Sequence, residues 1–174
     1  RLLHMEDGFV RSVGLGSDLV PPQSFVLDEG GLYFDPSTPS DLEVILNNES
    51  FSDDELNRAA RVREFIVTHG ITKYNVEPLQ SPDWRSIGRK VVLVPGQVED
   101  DASIRQGCES IRTNLGLLAA ARSANPDAFI VYKPHPDVLA GNRKGRAALA
   151  QALEIADHME TTVSLVSCID ACSE

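Results

Sequence analysis

The sequence predicts an α/β fold built on a parallel sheet, and features of its second half carry this prediction. Two apolar segments, residues 91–94 and 128–131, have the length of buried strands. Each runs into prolines, which end strands because they lack a backbone N–H. The residues between them have the spacing of an amphipathic helix. A strand, a helix and a second strand in this order predict a right-handed parallel βαβ unit.

The connecting helix is predicted to be continuous and to end before an Asn-Pro pair. Its apolar face would comprise Ile104, Cys108, Ile111, Leu115 and Leu118. A further helix is predicted over roughly residues 146–157, preceded by basic residues at its solvated start, and a further strand over residues 162–166. The basic residues are Arg143, Lys144 and Arg146. Three strands make an incomplete sheet, so the sequence predicts a truncated domain.

The first half of the chain predicts a hairpin and two helices. Residues 25–27 and 32–34 flank an Asp-Glu-Gly-Gly turn, which is typical of a β-hairpin. A short helix begins after Ser40, and a longer one begins at a capping box in residues 52–55 and ends at Gly70. The predicted buried face of the longer helix consists of Leu56, Ala59, Ala60, Phe65 and Ile66.

The segment of residues 76–89 contains two prolines and shows no helical or strand period, which indicates an interdomain linker. It separates residues 1–75, a segment of one lobe, from residues 90–174, the first half of a nucleotide-binding α/β domain. The length of 174 residues fits one domain or parts of two. Because the chain opens on Arg1 with no secretory signal pattern, we expect an internal piece of a longer protein.

Composition excludes several classes of protein. The net charge of -10 argues against a nucleic-acid partner, since phosphate backbones require a basic surface. No apolar run approaches the roughly 18 residues of a membrane-spanning helix. The three cysteines are an odd number without metal-ligand spacing, which favours buried thiols in a reducing cytosol.

The loops that follow the two strands carry the candidate binding residues. Ligands of open α/β sheets bind at the carboxyl ends of the strands. If the two strands are neighbours, Gln97 and His135 lie side by side there. His135 stands between two prolines, and with Lys133 it could neutralise the phosphate of a nucleotide leaving group. Gly96 would let the backbone approach a ligand.

Two other segments leave a functional and a structural interpretation open. The acidic residues Glu99, Asp100 and Asp101 suit sugar hydroxyls or a divalent metal, or they are helix N-terminal acids stabilised by the helix dipole. Residues 5–18 contain three glycines, which indicate either close approach to a ligand or a turn-rich connector. On these residues alone, the sequence predicts part of a domain that binds a nucleotide or nucleotide sugar.

Four motifs together make a more specific match. They are residues 6–18 (EDGFVRSVGLGSD, the N-terminal motif), 72–75 (TKYN), 94–101 (VPGQVEDD, the glutamine motif) and 132–137 (YKPHPD, the HP motif). In this order they resemble the KpsC-type capsule polysaccharide biosynthesis and export family. The match spans most of the chain, and any single motif would be a weak signal.

The resemblance implies a fold and an activity. It implies a GT-B-like glycosyltransferase of two Rossmann-like lobes, in which residues 1–75 belong to the acceptor-side lobe. Such proteins are retaining β-Kdo transferases that move Kdo from CMP-Kdo to a lipid-linked Kdo acceptor and need no further cofactor or metal. They work in the cytoplasm of Gram-negative bacteria, peripheral to the inner membrane, beside the capsule assembly and ABC export machinery.

The resemblance also implies site residues. The donor-binding residues would be Gly96, Gln97, Asp101, Ser103, Lys133, His135 and Pro136, with His135 also catalytic. Gln97 lacks the proline that follows the glutamine in some relatives. Retention favours a carboxylate nucleophile, for which Asp7 is our choice, with Glu6 as runner-up or acid/base. Arg11 would bind the Kdo carboxylate.

The chain departs from the family pattern at its end. The family continues into a segment that closes the donor site, so we expect the 174-residue piece to fold poorly alone and to lack activity.

Two alternative functions remain open. One alternative is a non-enzymatic scaffold for export, which would lose export but keep Kdo transfer when His135 is changed. The other is a metal-dependent nucleotide-sugar enzyme using Glu99, Asp100 and Asp101, whose activity EDTA would remove.

Overall fold

The computed structural model describes residues 2–143 and 148–173, with the backbone alone at Ala148. The strands are His4–Asp7 (β1), Phe25–Asp28 (β2), Val91–Pro95 (β3), Phe129–Lys133 (β4) and His158–Met159 (β5). The helices are Asp41–Asn48 (α1), Asp53–Thr68 (α2), Ala102–Gly107 (α3), Asn114–Ala124 (α4), Pro136–Leu139 (α5), Ala148–Ala152 (α6) and Leu165–Ala171 (α7). Short 3-10 turns lie at Gly16–Asp18 and Asp83–Ser86.

The second half of the chain forms a parallel sheet in the order β3-β4-β5, as the βαβ pattern predicts. Apolar side chains bury both faces of this sheet. Leu118 of α4 packs on Ile130 on one face, and Trp84 packs with Val131 and Cys168 on the other. Because both faces are covered, β3 and β4 consist of continuous apolar runs rather than alternating ones. The α/β fold class is therefore confirmed.

The predicted continuous helix between β3 and β4 is wrong, because α3 and α4 are separate helices. Thr113 caps α4, its hydroxyl accepting from the backbone N–H of Gly116 at 3.1 Å. The carboxylate of Glu99 accepts from the N–H of Asn114 at 2.7 Å. These side chains satisfy the free N–H groups of a new helix start, so the chain restarts at this point. Apolar spacing alone could not reveal the interruption.

The predicted strand at residues 162–166 is also wrong. The third parallel strand is the two-residue β5, and the chain then bends around the carboxylate of Glu160. That carboxylate accepts from the backbone N–H groups of Thr162 at 2.8 Å and Val163 at 3.3 Å. Ser164 then caps α7. A buried carboxylate that binds successive N–H groups turns the backbone, whatever the β-propensity of the apolar residues nearby.

The helix predicted over residues 146–157 is shorter than expected, because α6 ends at residue 152. Its predicted start at residues 146–147, with Lys144 and Arg146 of the basic cluster, lies outside the described residues. The third basic residue, Arg143, forms an ion pair with Asp100 at 3.0 Å. Of the three cysteines, Cys168 is buried as expected, whereas Cys108 and Cys172 are half-buried.

The predicted hairpin of residues 25–34 is wrong, since β2 pairs antiparallel with β1 instead. Residues 29–40, which we call the aromatic loop because they carry Tyr33 and Phe34, form no strand. The reason lies in Asp28, whose carboxylate accepts from the N–H groups of Gly30 and Gly31, each at 2.8 Å. These bonds turn the chain away from β2 immediately after the strand.

Both predicted helices of the first half are present, but the predicted burial of α2 is wrong. Ser40 caps α1, and the capping box at the start of α2 is complete. Gly70 ends α2 at φ +60°, with the hydrogen-bond pattern of a Schellman motif. The five residues of its predicted buried face are exposed, apart from a half-buried Ile66. Helical spacing identifies an apolar side and does not tell what covers it.

The segment predicted to be a linker is packed against the parallel sheet. Trp84, in the 3-10 turn of this segment, is only 4% exposed and joins the core beside Val131. Its indole N–H donates to the carboxylate of Glu160 at 2.9 Å. The backbone N–H of Ser164 donates to the carbonyl of Pro78 at 3.0 Å. The domain boundaries at residues 75, 76–89 and 90 stay predictions.

Candidate functional site

The carboxyl ends of β3 and β4 lie side by side, as the loop sequences predict. The N–H of Gly96 donates to the carbonyl of Lys133 at 2.7 Å, which continues the parallel pairing past Pro95. Gln97 and His135 consequently line one cavity of about 280 Å³, which we call the first cavity. A Cβ on Gly96 would lie 2.6 Å from the hydroxyl of Tyr132, so only glycine fits there.

His135 occupies a structurally fixed position at the start of α5. Its Nδ1 accepts from the backbone N–H of Asp137 at 3.2 Å, and Pro136 takes the first helical position. Burial lowers the pKa of His135, and the nearby carboxylate of Asp137 opposes this effect while the Lys73 ammonium adds to it. Because Nδ1 is an acceptor in this hydrogen bond, the neutral ring carries its proton on Nε2. The site thus holds an imidazole that can donate from Nε2.

Lys133 lies beneath the loop instead of being displayed by it. Its ammonium forms an ion pair with Glu77 at 2.7 Å and donates to the carbonyl of Val163 at 2.8 Å. The side chain is only 4% exposed because Lys133, two residues after Val131 on β4, points to the same face of the sheet, and α7 packs against that face. The ammonium is therefore engaged within the protein, and the assignment of Lys133 to donor binding stays a prediction.

The three acidic residues of the glutamine motif point to three different partners. Asp101 caps α3, accepting from the N–H and the hydroxyl of Ser103 at 3.0 and 2.8 Å. Burial acts to raise the pKa of Asp101, but these two hydrogen bonds and the positive charges of Arg143 and Lys73 together lower it. Asp100 pairs with Arg143, and Glu99 binds the start of α4. This geometry favours the helix-capping interpretation of Asp101.

No group of three or more histidine, cysteine or acidic side chains is placed to hold a metal ion within residues 2–143 and 148–173. The divergent directions of Glu99, Asp100 and Asp101 explain why the acidic run does not form such a group.

Arg11 is the buried centre of the N-terminal motif. Its guanidinium is bound on three sides, by the carboxylate of Asp7 at 2.5 Å, the carbonyl of Val20 at 2.8 Å and the hydroxyl of Ser12 at 3.0 Å. A Cβ on Gly16 would lie 2.9 Å from the guanidinium carbon, so this glycine is required for the packing. In the structure the partner of Arg11 is the carboxylate of Asp7. The pairing of Arg11 with a sugar carboxylate stays a prediction.

Glu6 and Asp7 are neighbours on β1 and therefore face opposite sides. Asp7 faces Arg11, and its side chain is 30% exposed. Glu6 faces a separate cavity of about 310 Å³, which we call the second cavity. The structure thus distinguishes the two carboxylates that the sequence presents as an adjacent pair.

All four motifs meet at the second cavity. Its wall includes residues from each of them: Glu6, Lys73, Tyr74, Gln97, Asp101, His135 and Asp137. It also includes Ser103, which the sequence analysis assigned to donor binding. Lys73, Tyr74, Gln97 and His135 line the first cavity as well, so the two cavities share a wall. Segments far apart in sequence therefore form one continuous site.

Hydrogen bonds fix the motifs to one another. The carbonyl of Lys73 accepts from the N–H groups of Arg11 and Ser12 at 2.9 and 3.1 Å. The amide of Asn75 donates to the carbonyl of Ser12 at 2.9 Å. At the other end of the N-terminal motif, the hydroxyl of Ser17 donates to the carboxylate of Asp137 at 2.5 Å. The N-terminal motif thus contacts both the TKYN motif and the HP motif.

Sequence reasoning missed several residues of the site. Tyr33 and Phe34 line the second cavity, although the sequence places them in a hairpin strand. The ring of Tyr74 lies edge-on to His135, with centroids 6.2 Å apart. Burial raises the pKa of Tyr74, and the carboxylate of Asp137 adds to this effect. The TKYN motif contained the signal for Tyr74, whereas no sequence pattern identified the aromatic loop.

The fold and the site define an α/β protein with a polar ligand crevice at the carboxyl ends of parallel strands. The sequence profile of the capsule polysaccharide biosynthesis protein family matches residues 1–83 and 82–167. The chain therefore belongs to this family, as the four motifs predict.

Two curated relatives are similar over nearly the whole chain. The capsule polysaccharide modification protein LipA of Neisseria meningitidis serogroup B is 47% identical over 175 residues, covering 99% of this chain and 24% of LipA. The lipopolysaccharide-processing protein LpsZ of Rhizobium meliloti is 39% identical, covering 95% of this chain and 42% of LpsZ. The chain thus spans well under half of the length of either relative.

Two solved structures of KpsC from Thermosulfurimonas dismutans have a similar fold. The β-Kdo 2,4 transferase matches with a TM-score of 0.75 and 37% identity, covering 84% of this chain and 46% of that one. The β-Kdo 2,7 transferase matches with a TM-score of 0.71 and 38% identity, covering 98% and 49%. Both neighbours are Kdo transferases by name. The KpsC-type assignment and the fold class are confirmed.

Proposed function

We propose that the protein is a β-Kdo transferase that moves Kdo from CMP-Kdo to a lipid-linked Kdo acceptor with retention of the anomeric configuration. The observation that carries this proposal is the meeting of four motifs at one cavity lined by both carboxylates and cations. The names of the two KpsC neighbours support Kdo as the transferred sugar. The CMP-Kdo donor, the retention of configuration and the lipid-linked acceptor go beyond those names and are part of our proposal.

The loops after β3 and β4 hold the CMP phosphate in this proposal. His135 donates from Nε2 to a phosphate oxygen, and its Nδ1 stays occupied by the N–H of Asp137. Gly96 lets the backbone approach from the first cavity, Gln97 supplies a polar contact from the wall that the two cavities share, and Ser103 supplies one from the second cavity. These fixed donors stabilise the negative charge that develops on the departing CMP.

Asp7 is the proposed nucleophile, and Glu6 is the proposed acid/base. An oxygen of Asp7 forms a bond to the anomeric carbon of Kdo while the bond to the CMP phosphate breaks, and CMP leaves with the electron pair. The acceptor hydroxyl then displaces the carboxylate of Asp7, and Glu6 takes the hydroxyl proton. Arg11 holds Asp7 through one oxygen, Oδ2, which orients the carboxylate.

Replacing Asp7 with alanine in the full-length protein tests this mechanism. Without the nucleophile, we expect Kdo transfer from CMP-Kdo to fall about a thousandfold or more, measured by product formation and CMP release. Asp54→Ala, which removes an exposed carboxylate in the first turn of α2, is the matched control and should leave the rate unchanged. Transfer by Asp7→Ala at the wild-type rate would exclude this carboxylate as the nucleophile.

We further propose that the protein works in the cytoplasm at the inner membrane, beside the capsule assembly and ABC export machinery. The acceptor is lipid-linked in this proposal, which places the reaction at a membrane surface. None of the helices in the described residues has the length and apolarity to cross a membrane. Fractionation of cells that express the full-length protein tests the location. Recovery outside the cytoplasmic and inner-membrane fractions would contradict it.

A further inference from the structure

The aromatic loop is held at both ends by the carboxylate of Asp28. One oxygen of Asp28 binds the N–H groups of Gly30 and Gly31, and the other accepts from the N–H of Asp41 at 2.8 Å, where α1 begins. Asp28 is only 2% exposed, and Ser40, which caps α1, is equally buried. The carboxylate of Asp41 also accepts from the N–H of Glu29 at 2.9 Å, so two carboxylates close the base of the loop and limit the positions of the residues between.

The fixed loop places two aromatic rings on the wall of the second cavity. Tyr33 and Phe34 line that cavity, with their ring centroids 5.5 Å apart in an edge-to-face arrangement. The ring of Phe9 also packs on Tyr33, with centroids 5.3 Å apart. Tyr33 remains about one-third exposed, so part of its ring is accessible from the cavity.

We propose that Tyr33 and Phe34 form the platform on which the ring of the acceptor sugar binds. The face of an aromatic ring carries partial negative charge, which attracts the C–H groups of a sugar ring. The Tyr33 hydroxyl can exchange hydrogen bonds with the sugar hydroxyls. This inference rests on the proposed transferase function, and it adds the residues that would select the acceptor.

The position of the pair favours the acceptor over the donor nucleotide. The donor loops rise from the carboxyl ends of β3 and β4, where nucleotides bind in α/β sheets. These loops line both cavities, whereas Tyr33 and Phe34, from the chain that follows β2, line only the second. Glu6, the proposed acid/base, lines the second cavity beside them. An acceptor sugar on this platform would place its hydroxyl near the group that takes its proton.

Steady-state kinetics of the full-length protein can test the platform with a synthetic Kdo glycoside as acceptor. For Tyr33→Ala and Phe34→Ala, we expect the acceptor KM to rise about tenfold each, the size of a lost aromatic contact with its buried area. The KM for CMP-Kdo and the acceptor-free release of CMP should change less than twofold. Tyr33→Phe, which keeps the ring, should retain most of the acceptor affinity.

Phe65→Ala is the matched control, since Phe65 is an exposed aromatic residue of α2 that lines neither cavity. It should leave both KM values unchanged. An unchanged acceptor KM in Tyr33→Ala and Phe34→Ala would overturn the platform. A rise confined to the KM for CMP-Kdo would overturn it too, and would assign the rings to the donor.

Failure of the transferase proposal is distinguishable from failure of the platform. If the wild-type protein releases no CMP and transfers no Kdo, the proposed function fails. Saturation-transfer NMR then measures binding of the same Kdo glycoside directly. Loss of the sugar ring signals in Tyr33→Ala but not in Phe65→Ala would support the platform, and equal signals in all proteins would overturn it.

Discussion

In the parallel sheet of β3, β4 and β5, the buried side chains are mainly apolar, whereas in residues 2–41 they are mainly polar. Leu118 and Ile130 are fully buried in the sheet region. In the N-terminal region, Leu15 is the one buried apolar side chain among Arg11, Ser12, Asp28 and Ser40. The sheet is stabilised by burial of apolar area, and the N-terminal region by directed hydrogen bonds around buried charges.

The difference matters for the site because each region supplies one side of it. The sheet presents Gln97 and His135 on loops whose positions follow from the strand pairing. The N-terminal region presents Glu6 from β1 and Tyr33 from the aromatic loop, which Asp28 holds, and Arg11 holds Asp7 on the other face of β1. Apolar packing tolerates changes of similar volume, whereas removal of one partner of a buried charge is strongly destabilising. The variants below probe this contrast.

The largest loss of stability is expected for Leu118→Ala. Leu118 is 0% exposed between α4 and the sheet, so its truncation leaves a cavity and costs about 3 kcal/mol. Amide hydrogen exchange in β3 and β4 of the full-length protein should accelerate about a hundredfold, and that of residues 8–24 should not. Leu117→Ala, at a more exposed position of the same helix, is the control. Equal acceleration in both regions would mean that they unfold as one unit.

A smaller loss of stability, in the N-terminal region rather than in the sheet, is expected for Arg11→Met. The substitution keeps an unbranched side chain but leaves the carboxylate of Asp7 and the carbonyl of Val20 without their donors. We expect a local loss of about 2 kcal/mol, seen as faster hydrogen exchange in residues 8–24. Exchange in β3 and β4 should stay constant. Arg105→Met, at an exposed position of α3, should have no effect in either region. Faster exchange in the sheet alone would contradict the contrast.

A pH effect is expected from His135, at the junction of the two regions. Its pKa is lowered below the ordinary 6.5, mainly by burial, so the folded protein binds fewer protons than the unfolded chain as pH falls. The contribution of neutral His135 to stability is therefore full above pH 6.5 and is lost as pH falls through the lowered pKa. Thermal unfolding temperatures of the wild type and His135→Asn, measured from pH 8 to 5, should converge at low pH. Parallel curves would contradict this.

The smallest effect is expected from removal of divalent metals. Glu99, Asp100 and Asp101 bind a helix start, an arginine and a serine, so chelation should leave this wall of the site intact. We expect Kdo transfer by the full-length protein to change less than twofold in EDTA. Loss of activity in EDTA with recovery on addition of Mg²⁺ would instead support the metal-dependent alternative.

The same contrast explains what the sequence could predict of the fold. Continuous apolar runs ended by prolines predicted β3 and β4, and the capping box and Gly70 predicted both ends of α2, because these signals are local. The incorrect predictions of the hairpin, the continuous helix and the strand at residues 162–166 each involve a polar side chain that redirects the backbone. Asp28 turned a predicted hairpin into a loop, and Glu160 turned a predicted strand into a bend before a helix. Such hydrogen bonds leave no periodic trace in the sequence.

The candidate site was predictable to a similar extent. The proximity of Gln97 and His135 followed from the pairing of two predicted strands, and the structure confirms it. The engagement of Lys133 with Glu77 was not predictable, since the partner lies in a segment without regular structure. Tyr33 was missed because its position depends on the buried carboxylate of Asp28. Residues that directly follow a predicted strand were found, and contacts that depend on irregular segments were not.

The hydrogen bond between Ser17 and Asp137 has a consequence for the order of folding. It joins residues 120 positions apart, and the bond between Asp18 and Asn142 joins residues 124 positions apart. Closing so long a loop costs entropy that only later contacts repay, so pairings of high sequence separation form slowly. The helices and the βαβ unit can form from near neighbours. We therefore expect the junction of the N-terminal motif with the HP motif to be among the last contacts to form during folding.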